Sequence, residues 1–391
     1  MWVDELEDGA PGELVPYGRQ PYYKPDPLPP AQELVLDNGF YETLSNATYW
    51  LGKLSGLSLE VDFPAVLYTS LLRKEAIESA EIEGADVDYN ALYSFETRAE
   101  DSTGDPKSTA PRLDSTKDIQ EVLNYEQALA DGIESLDQDE PLSIDLLHSL
   151  HDRLLTGVPD DRVDTDTIGA FKTTPNFIGE FLPPVPDVAA GAMETLLTYY
   201  RTGGSYQPLI DIALFHYQFE TIHPYGDSNG RLGRLLITLQ LYDQDYLERP
   251  NLYLSEYFNR NKQTYVDRME QVRKAGEWEA WLEFFITGVR YQAEESVIRT
   301  LELEQLRRKY DQQYGGVAYT ADQLACWLFE QPYVTAQTVA EQFDVEHSTA
   351  YRAIASLQDD GVLEEVTGQA RNQEYRAKEI FEILERPPET Y

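Results

Sequence analysis

The sequence predicts a mainly α-helical protein, interrupted by one short β-hairpin flap and closed by a small separate module of helices and strands. Three observations predict this. Apolar residues recur at helical spacing through most of 33–309. The stretch GAFKTTPNFIGEFLPPVPD (169–187) breaks that rhythm with glycines, prolines and short apolar pieces. From about 318 the pattern restarts as two short helices followed by two alternating stretches around a glycine.

Taken in order, residues 1–32 are rich in proline, glycine and acids (YYKPDPLPPAQ) and predict an extended arm. A helical segment follows over 33–130, in which LLRKEAIESAEIEG (71–84) is built of helix formers and stops at Gly84. Within it EDSTGDPKSTAPRLDST (100–116) reads as a polar loop. The main domain is placed at 131–310, with helices at SIDLLHSLHDRLLTG, AAGAMETLLTYYR, LIDIALFHYQFETI, RLGRLLITLQLYDQDYL, 253–275 and 278–309. The closing module spans 318–391, and no internal repeat is visible.

The chain has 391 residues, of which 42% are hydrophobic, enough for a sizeable core in two or three domains. Its 70 acidic and 31 basic residues give a formal charge of −39, with the acids scattered rather than gathered in a tail. That pattern suits a protein kept soluble in concentrated salt, where screening removes self-repulsion, so a halophilic cytoplasm is the expected setting. Cys326 is the single cysteine, which excludes an intrachain disulfide and a cysteine-based zinc site. The N-terminus lacks the basic and apolar regions of a signal peptide, and no run of 18 apolar residues exists to span a membrane, so no membrane partner is expected.

Residues 223–234, HPYGDSNGRLGR, concentrate the chemistry. Small polar residues just before an apolar helix make an anion-binding turn, because the first amides of the helix lack partners and its dipole favours negative charge. Ser228, Asn229 and Gly230 occupy that turn. Arg231 and Arg234 lie three apart on the emerging helix, a spacing that lets both grip phosphate oxygens. Asp227 is a hard oxygen ligand suited to Mg2+, which binds through one or two carboxylates plus substrate phosphates. His223 stands where it can accept a proton from an attacking hydroxyl. Taken singly, each of these residues is as easily structural; their joint occurrence points to nucleotide chemistry. No GxxxxGK[ST] or GxGxxG precedes a strand, so P-loop and Rossmann readings find no support.

HPYGDSNGRLGR resembles the Fic motif, HPFx[D/E]GNGRxxR, and the likeness runs on through LFHYQFETIHPY before it and LYLSEYFNRNKQTYVDRME after it, over roughly 35–300. The resemblance implies a Fic helical core with a β-hairpin flap, and transfer of AMP from ATP to a Ser, Thr or Tyr hydroxyl of a protein target or of the chain itself. By position it implies that His223 deprotonates that hydroxyl, Asp227 holds Mg2+, Ser228, Asn229 and Gly230 hold phosphate oxygens, and Arg231 and Arg234 steady the nucleotide. Tyr257 and Asn261 match positions near the adenine, and the flap at 174–184 is expected to clamp the target by strand-like pairing. Three departures stand out: Ser228 replaces a family glycine, Tyr225 replaces phenylalanine, and Lys172 replaces the arginine of G-x-F-R. A side chain at 228 can crowd the phosphate or demand another backbone angle, which leaves an inert nucleotide sensor or scaffold as the rival reading.

ESAEIEG (78–84) places Ser79 and Glu83 four apart on one helix face, with Gly84 following. It resembles the family's inhibitory motif, [S/T]xxxE[G/N], which implies that Glu83 pairs with Arg234 and denies it to the γ-phosphate. In some relatives the same glutamate serves AMP removal by positioning a water.

The closing module, VTAQTVAEQFDVEHSTAYRAIASLQDDGVLEEVTGQARNQEYRA (334–377), resembles a winged helix-turn-helix. Over 331–391 five basic residues face twelve acidic ones, a net of −7. His347, Arg352 and Arg371 are the cations offered to a nucleic acid, which is sparse for a DNA reader. DNA contact and a docking role, homodimerisation included, stand as equal expectations.

Overall fold

The computed structural model describes residues 6–60, 64–87, 89–100, 113–158, 167–315, 319–369 and 372–388. The chain is mainly helical, as its periodicity predicts. Two long helices, α1 (Asn38–Glu60) and α2 (Pro64–Ile82), lead into α3 (Tyr89–Glu100), α4 (Leu113–Asp137) and α5 (Ile144–Leu155). The main domain continues with α6 (Pro186–Arg201), α7 (Pro208–Ile222), α8 (Asn229–Asp243), α9 (Ser255–Arg260), α10 (Lys262–Ala275) and the 37-residue α11 (Trp278–Tyr314). The helix predicted over 253–275 is broken at Asn261, whose φ of −111° and ψ of 28° leave the helical region. Most of the predicted loop 100–116 lies outside the described residues, although its last residues already belong to α4.

Helices α7 and α8 position the site because they are the centre of the fold. Nearly every residue of LIDIALFHYQFETI is buried, and the apolar side chains divide between two core clusters. Phe215, Phe219 and Ile222 face the α2–α4–α5 side, whereas Leu209, Ala213, Leu214 and Tyr217 face α1, α9, α10 and α11. A helix apolar all round is stable only when covered on all sides, and α7 is. Buried side chains of this size stabilise by about 1.5–3 kcal/mol each, so the segment carrying the motif is held by the core itself.

The segment expected as an extended arm is instead a β-hairpin, β1 (Gly12–Tyr17) and β2 (Gln20–Pro25), turning at Gly18 with φ +64°. Its prolines hid it from a propensity reading, yet Pro16 and Pro21 sit opposite each other in a two-stranded ribbon whose edges need few donors. Tertiary contacts hold it: the Tyr23 N–H donates to the Leu182 carbonyl at 2.9 Å, and the Tyr23 ring packs on Phe181. The expected flap is shorter than a hairpin of strands. Ile178 and Phe181 form a single antiparallel bridge around Gly179, at φ +57°.

The C-terminal segment holds α12 (Thr320–Trp327), β3 (Tyr333–Thr335), α13 (Ala336–Phe343), α14 (His347–Asp359), β4 (Leu363–Glu365), β5 (Glu374–Ala377) and α15 (Lys378–Glu385), with strand order β3-β5-β4, all antiparallel. Thr335 caps α13 in a capping box with Thr338. This segment packs against α2 and α3: Tyr93 stacks on Tyr333 at 5.5 Å, Tyr89 and Tyr93 meet Phe381, and Lys74 donates to the Leu384 carbonyl. Arg371 lies outside the described residues.

Candidate active site

The motif loop is a tight connection between two buried helices. His223 ends α7 in the left-handed region (φ 49°, ψ 61°), Pro224 prevents the helix from continuing, and Ser228 begins α8, again left-handed (φ 57°, ψ 16°). Asn229 closes the loop on itself, accepting from the Tyr225 N–H and donating to the Tyr225 carbonyl, both at 2.9 Å. Asn229 is thus first a structural clasp, buried within the loop it shapes.

Ser228 takes the backbone angle that a glycine would take without strain, so the departure from the motif costs conformational energy without changing the path of the chain. Its hydroxyl accepts from Arg231 Nη2, and its N–H donates to Asp227 Oδ1 at 2.6 Å. The Tyr225 hydroxyl finds a partner in His148 Nδ1 at 3.0 Å, which is why the extra oxygen is tolerated in a buried position.

Both motif arginines are buried and occupied. Arg234 donates through Nε to Ser79 Oγ (2.8 Å) and through Nη2 to the Ser79 carbonyl (2.9 Å) and Glu83 Oε1 (2.8 Å). Burial alone would lower the Arg234 pKa; the carboxylate of Glu83 outweighs it and holds the guanidinium charged. The other Glu83 oxygen lies 3.3 Å from Arg231 Nε, so one carboxylate bridges both arginines. Arg231 also meets Glu121 Oε2 from α4 at 3.0 Å and, more distantly, Asp227 Oδ1 at 3.9 Å. Gly230 permits this crowding, because a Cβ there would stand 2.5 Å from Glu83 Oε1. Gly84, at φ +99°, ends the turn that delivers Glu83.

The His223 end is different. Its Nδ1 has no hydrogen-bond partner among the described residues. Burial, then the nearby Lys172 ammonium, push its pKa down to about 3, so the imidazole is neutral at ordinary pH. Asp227 is part-exposed, with Oδ1 engaged by Ser228, and among the described residues no group of three or more potential metal ligands gathers. One part-exposed hard carboxylate beside a helix N-terminus fits an Mg2+ shared with an anionic ligand and does not fit an all-protein metal cage.

Sequence reasoning missed several residues that build this loop. His151 on α5 accepts from the Gly169 N–H at Nδ1 (3.0 Å), which leaves Nε2–H to donate to the Asp227 carbonyl at 3.2 Å. Its ring stacks on Tyr225 at 4.0 Å, and burial holds it near pKa 4. Glu220, one turn before His223, is buried with Oε1 unpartnered, and burial raises its pKa to about 7. Glu75 on α2 is raised to about 7 by burial too, and ties α2 to α9 by accepting from the Ser255 N–H and hydroxyl. The histidine pair HSLH at 148 and 151 was the one sequence signal available; the acids gave none.

Tyr257 and Asn261 lie on and after α9, which is joined to the end of α2 through Asn259 with Glu78 and Glu81, while Lys262, the first residue of α10, donates to the Ile82 carbonyl. Tyr257 is itself packed in the core against Phe284 at 5.1 Å. Asn261 donates to the Tyr257 carbonyl at 2.9 Å.

Residues 41–134 match the Fic/DOC family N-terminal model, and residues 141–241 match the Fic/DOC family model. Over 130 residues, 32% of this chain, the sequence is 28% identical to protein adenylyltransferase fic-1 of Caenorhabditis elegans. Over 98 residues, 25% of this chain, it is 30% identical to a probable protein adenylyltransferase of Aquifex aeolicus. These matches span about a quarter of the curated relatives' own length, 24% and 28%. In three dimensions the chain resembles a Fic family protein from Desulfovibrio desulfuricans, with a TM-score of 0.55, 18% identity, and coverage of 88% of this chain and 97% of that one. That likeness establishes the fold. No helix among the described residues is long and apolar enough to cross a membrane.

Proposed function

We propose, on the premise that this is a Fic domain protein with homologues named protein adenylyltransferase, that it transfers AMP from ATP to a protein hydroxyl and is held down by Glu83. The observation that carries the reading is the single carboxylate bridging Arg231 and Arg234 directly beside the turn at 228–230. An inert scaffold has no use for an acid on its phosphate-binding arginines.

His223 takes the proton of a Ser, Thr or Tyr hydroxyl whose oxygen attacks the α-phosphorus, and the bond to pyrophosphate breaks. At a pKa near 3 the imidazole is a weak base, but the negative charge of an arriving triphosphate raises it toward the useful range. The amides at the start of α8 and the two arginines hold phosphate oxygens; Asp227 would hold Mg2+, which supplies charge neutralisation when bound. Tyr257 and Asn261 border the adenine side, and 174–184 receives the target segment, with Phe177 and Ile178 exposed there. With Glu83 in place, the Arg234 charge is spent and ATP cannot seat its γ-phosphate productively. AMP removal through a water positioned by Glu83 belongs to the same site. The scattered acids and the charge of −39 support a cytoplasm of high salt as the working medium.

The test uses α-labelled ATP with Mg2+ in high-salt buffer, comparing wild type, Glu83→Gly and Glu83→Gly/His223→Ala for self-labelling. Label that rises with the first substitution and vanishes with the second establishes transferase and brake. Measurable ATP binding without label in any variant sinks the enzyme reading.

A second reading, a winged helix-turn-helix regulator, is favoured by the outer face of α14, where His347, Ser348, Tyr351 and Arg352 are exposed. Salt-dependent retention on duplex DNA, lost on Arg352→Ala, supports that role; a self-associating chain indifferent to DNA supports docking.

A further inference from the structure

The motif loop presents three consecutive carbonyls, those of His223, Pro224 and Tyr225, and all three are taken by one short segment at the foot of the flap. Lys172 Nζ donates to the His223 carbonyl at 2.8 Å, the Lys172 N–H donates to the Pro224 carbonyl at 2.9 Å, and Asn176 Nδ2 donates to the Tyr225 carbonyl at 2.9 Å. Lys172 Nζ also donates to Asn176 Oδ1 at 2.7 Å, locking the two side chains together. We propose that Lys172 and Asn176 form a positioning clamp that fixes the left-handed turn at His223 and aims its imidazole at the incoming hydroxyl. The inference rests on the adenylyl-transfer reading of this site and adds two residues that touch neither nucleotide nor metal in it.

A left-handed histidine is strained by about 1–2 kcal/mol and persists only where its surroundings hold it. Here the Phe219 carbonyl receives its N–H and Lys172 holds its carbonyl, so both ends of the strained peptide are pinned. The charges acting on the ring come from Lys172 at the flap foot and Arg273 on α10, both lowering its basicity, while the Glu220 backbone on α7 opposes them. Lys172 is an unusual cation: it is 3% exposed, its two side-chain partners are neutral oxygens, and burial lowers it to about 7.

The clamp also explains how a flap with only one bridged pair can be registered against the catalytic loop. The same stretch that presents Phe177 and Ile178 outward has its inner side bonded to 223–225.

The experiment uses the full chain, isotopically labelled at histidine, without nucleotide, with His223→Ala assigning the resonance. Lys172→Met is expected to raise the His223 titration midpoint by about one unit or more, while Lys172→Arg and Asn176→Ala leave it in place. In a Glu83→Gly background, self-labelling should fall in kcat with ATP KM unchanged for Lys172→Met and Asn176→Ala, and return for Lys172→Arg. A His223 midpoint indifferent to Lys172→Met overturns the placing of Lys172 beside the ring, and ATP KM rising with kcat intact in Asn176→Ala overturns the clamp. Should Lys172→Met not fold, Lys172→Arg and Asn176→Ala decide alone: unchanged titration with recovered and lost kcat respectively supports the clamp, any other pairing refutes it. Absence of label in every variant counts against the transferase reading, and the titration still reads the clamp.

Discussion

The two ends of the motif loop are built in opposite ways. At the arginine end every charge is answered: Arg234 by Ser79 and Glu83, Arg231 by Glu83, Glu121 and Ser228. At the histidine end Nδ1 is unpartnered among the described residues, and the charge acting most on the ring, Lys172, is positive. A buried guanidinium needs a carboxylate to remain in the core, whereas a neutral imidazole does not. The contrast teaches that one loop can leave its imidazole unpaired while its arginines are fully engaged, and that the acids engaging them come from outside the motif, from the turn after α2 and from α4.

The largest effect is expected at the open end. In a Glu83→Gly background, His223→Ala should lower self-labelling by about 10²–10⁴-fold, with ATP binding unchanged by calorimetry. Next comes the closed end itself: Glu83→Gly should tighten ATP binding by about 5–150-fold, the span of a coupling of about 1–3 kcal/mol. Glu121→Gln should tighten it less, because Glu83 still covers Arg231. Its effect should grow once Glu83 is removed, and equal effects in both backgrounds would mean that the two acids act independently.

Ser228→Gly sharpens the comparison from the loop's own backbone. It relieves a left-handed serine and frees Arg231 Nη2, so the melting temperature should rise by about one degree, corresponding to about 1 kcal/mol. A fall in stability would mean that the hydroxyl's bond to Arg231 outweighs the strain. The last effect, which needs a pH series rather than one condition, is in the pH dependence of folding. Glu220 has a folded pKa of about 7, above its value in the unfolded chain, because burial disfavours its charge. The folded state therefore binds more protons between roughly pH 4.5 and 7, and stability falls as pH rises through that window. Glu220→Gln should flatten that slope in thermal melts between pH 5 and 8, gaining on wild type toward the alkaline side.

How much of this was legible in the sequence differs by distance along the chain. The helices α7 and α8 and the residues of the turn between them were readable, because apolar runs of that length and a Gly/Asn-rich turn act locally. So were α13, α14 and the β4–β5 pair, where Thr335 and the alternating strands are short-range signals. The β1–β2 hairpin was misread because its support, Tyr23 on Phe181 and Leu182, comes from more than 150 residues away. The flap's single bridge and the break at Asn261 were not legible either.

The sequence by itself determined the helical class and the turn between α7 and α8, and it put Ser79 and Glu83 close together at the end of α2, although Glu83 falls in the turn just past that helix rather than on its face, since periodicity and turn chemistry depend on near neighbours. Only the tertiary structure decided that Glu83 spans both arginines, that Glu121 joins it from α4, that His148 and His151 brace the loop from α5, and that Lys172 and Asn176 grip its carbonyls. Buried charges and strained peptides have to find partners wherever the fold puts them, and those partners are set by packing across the core, which no local pattern records.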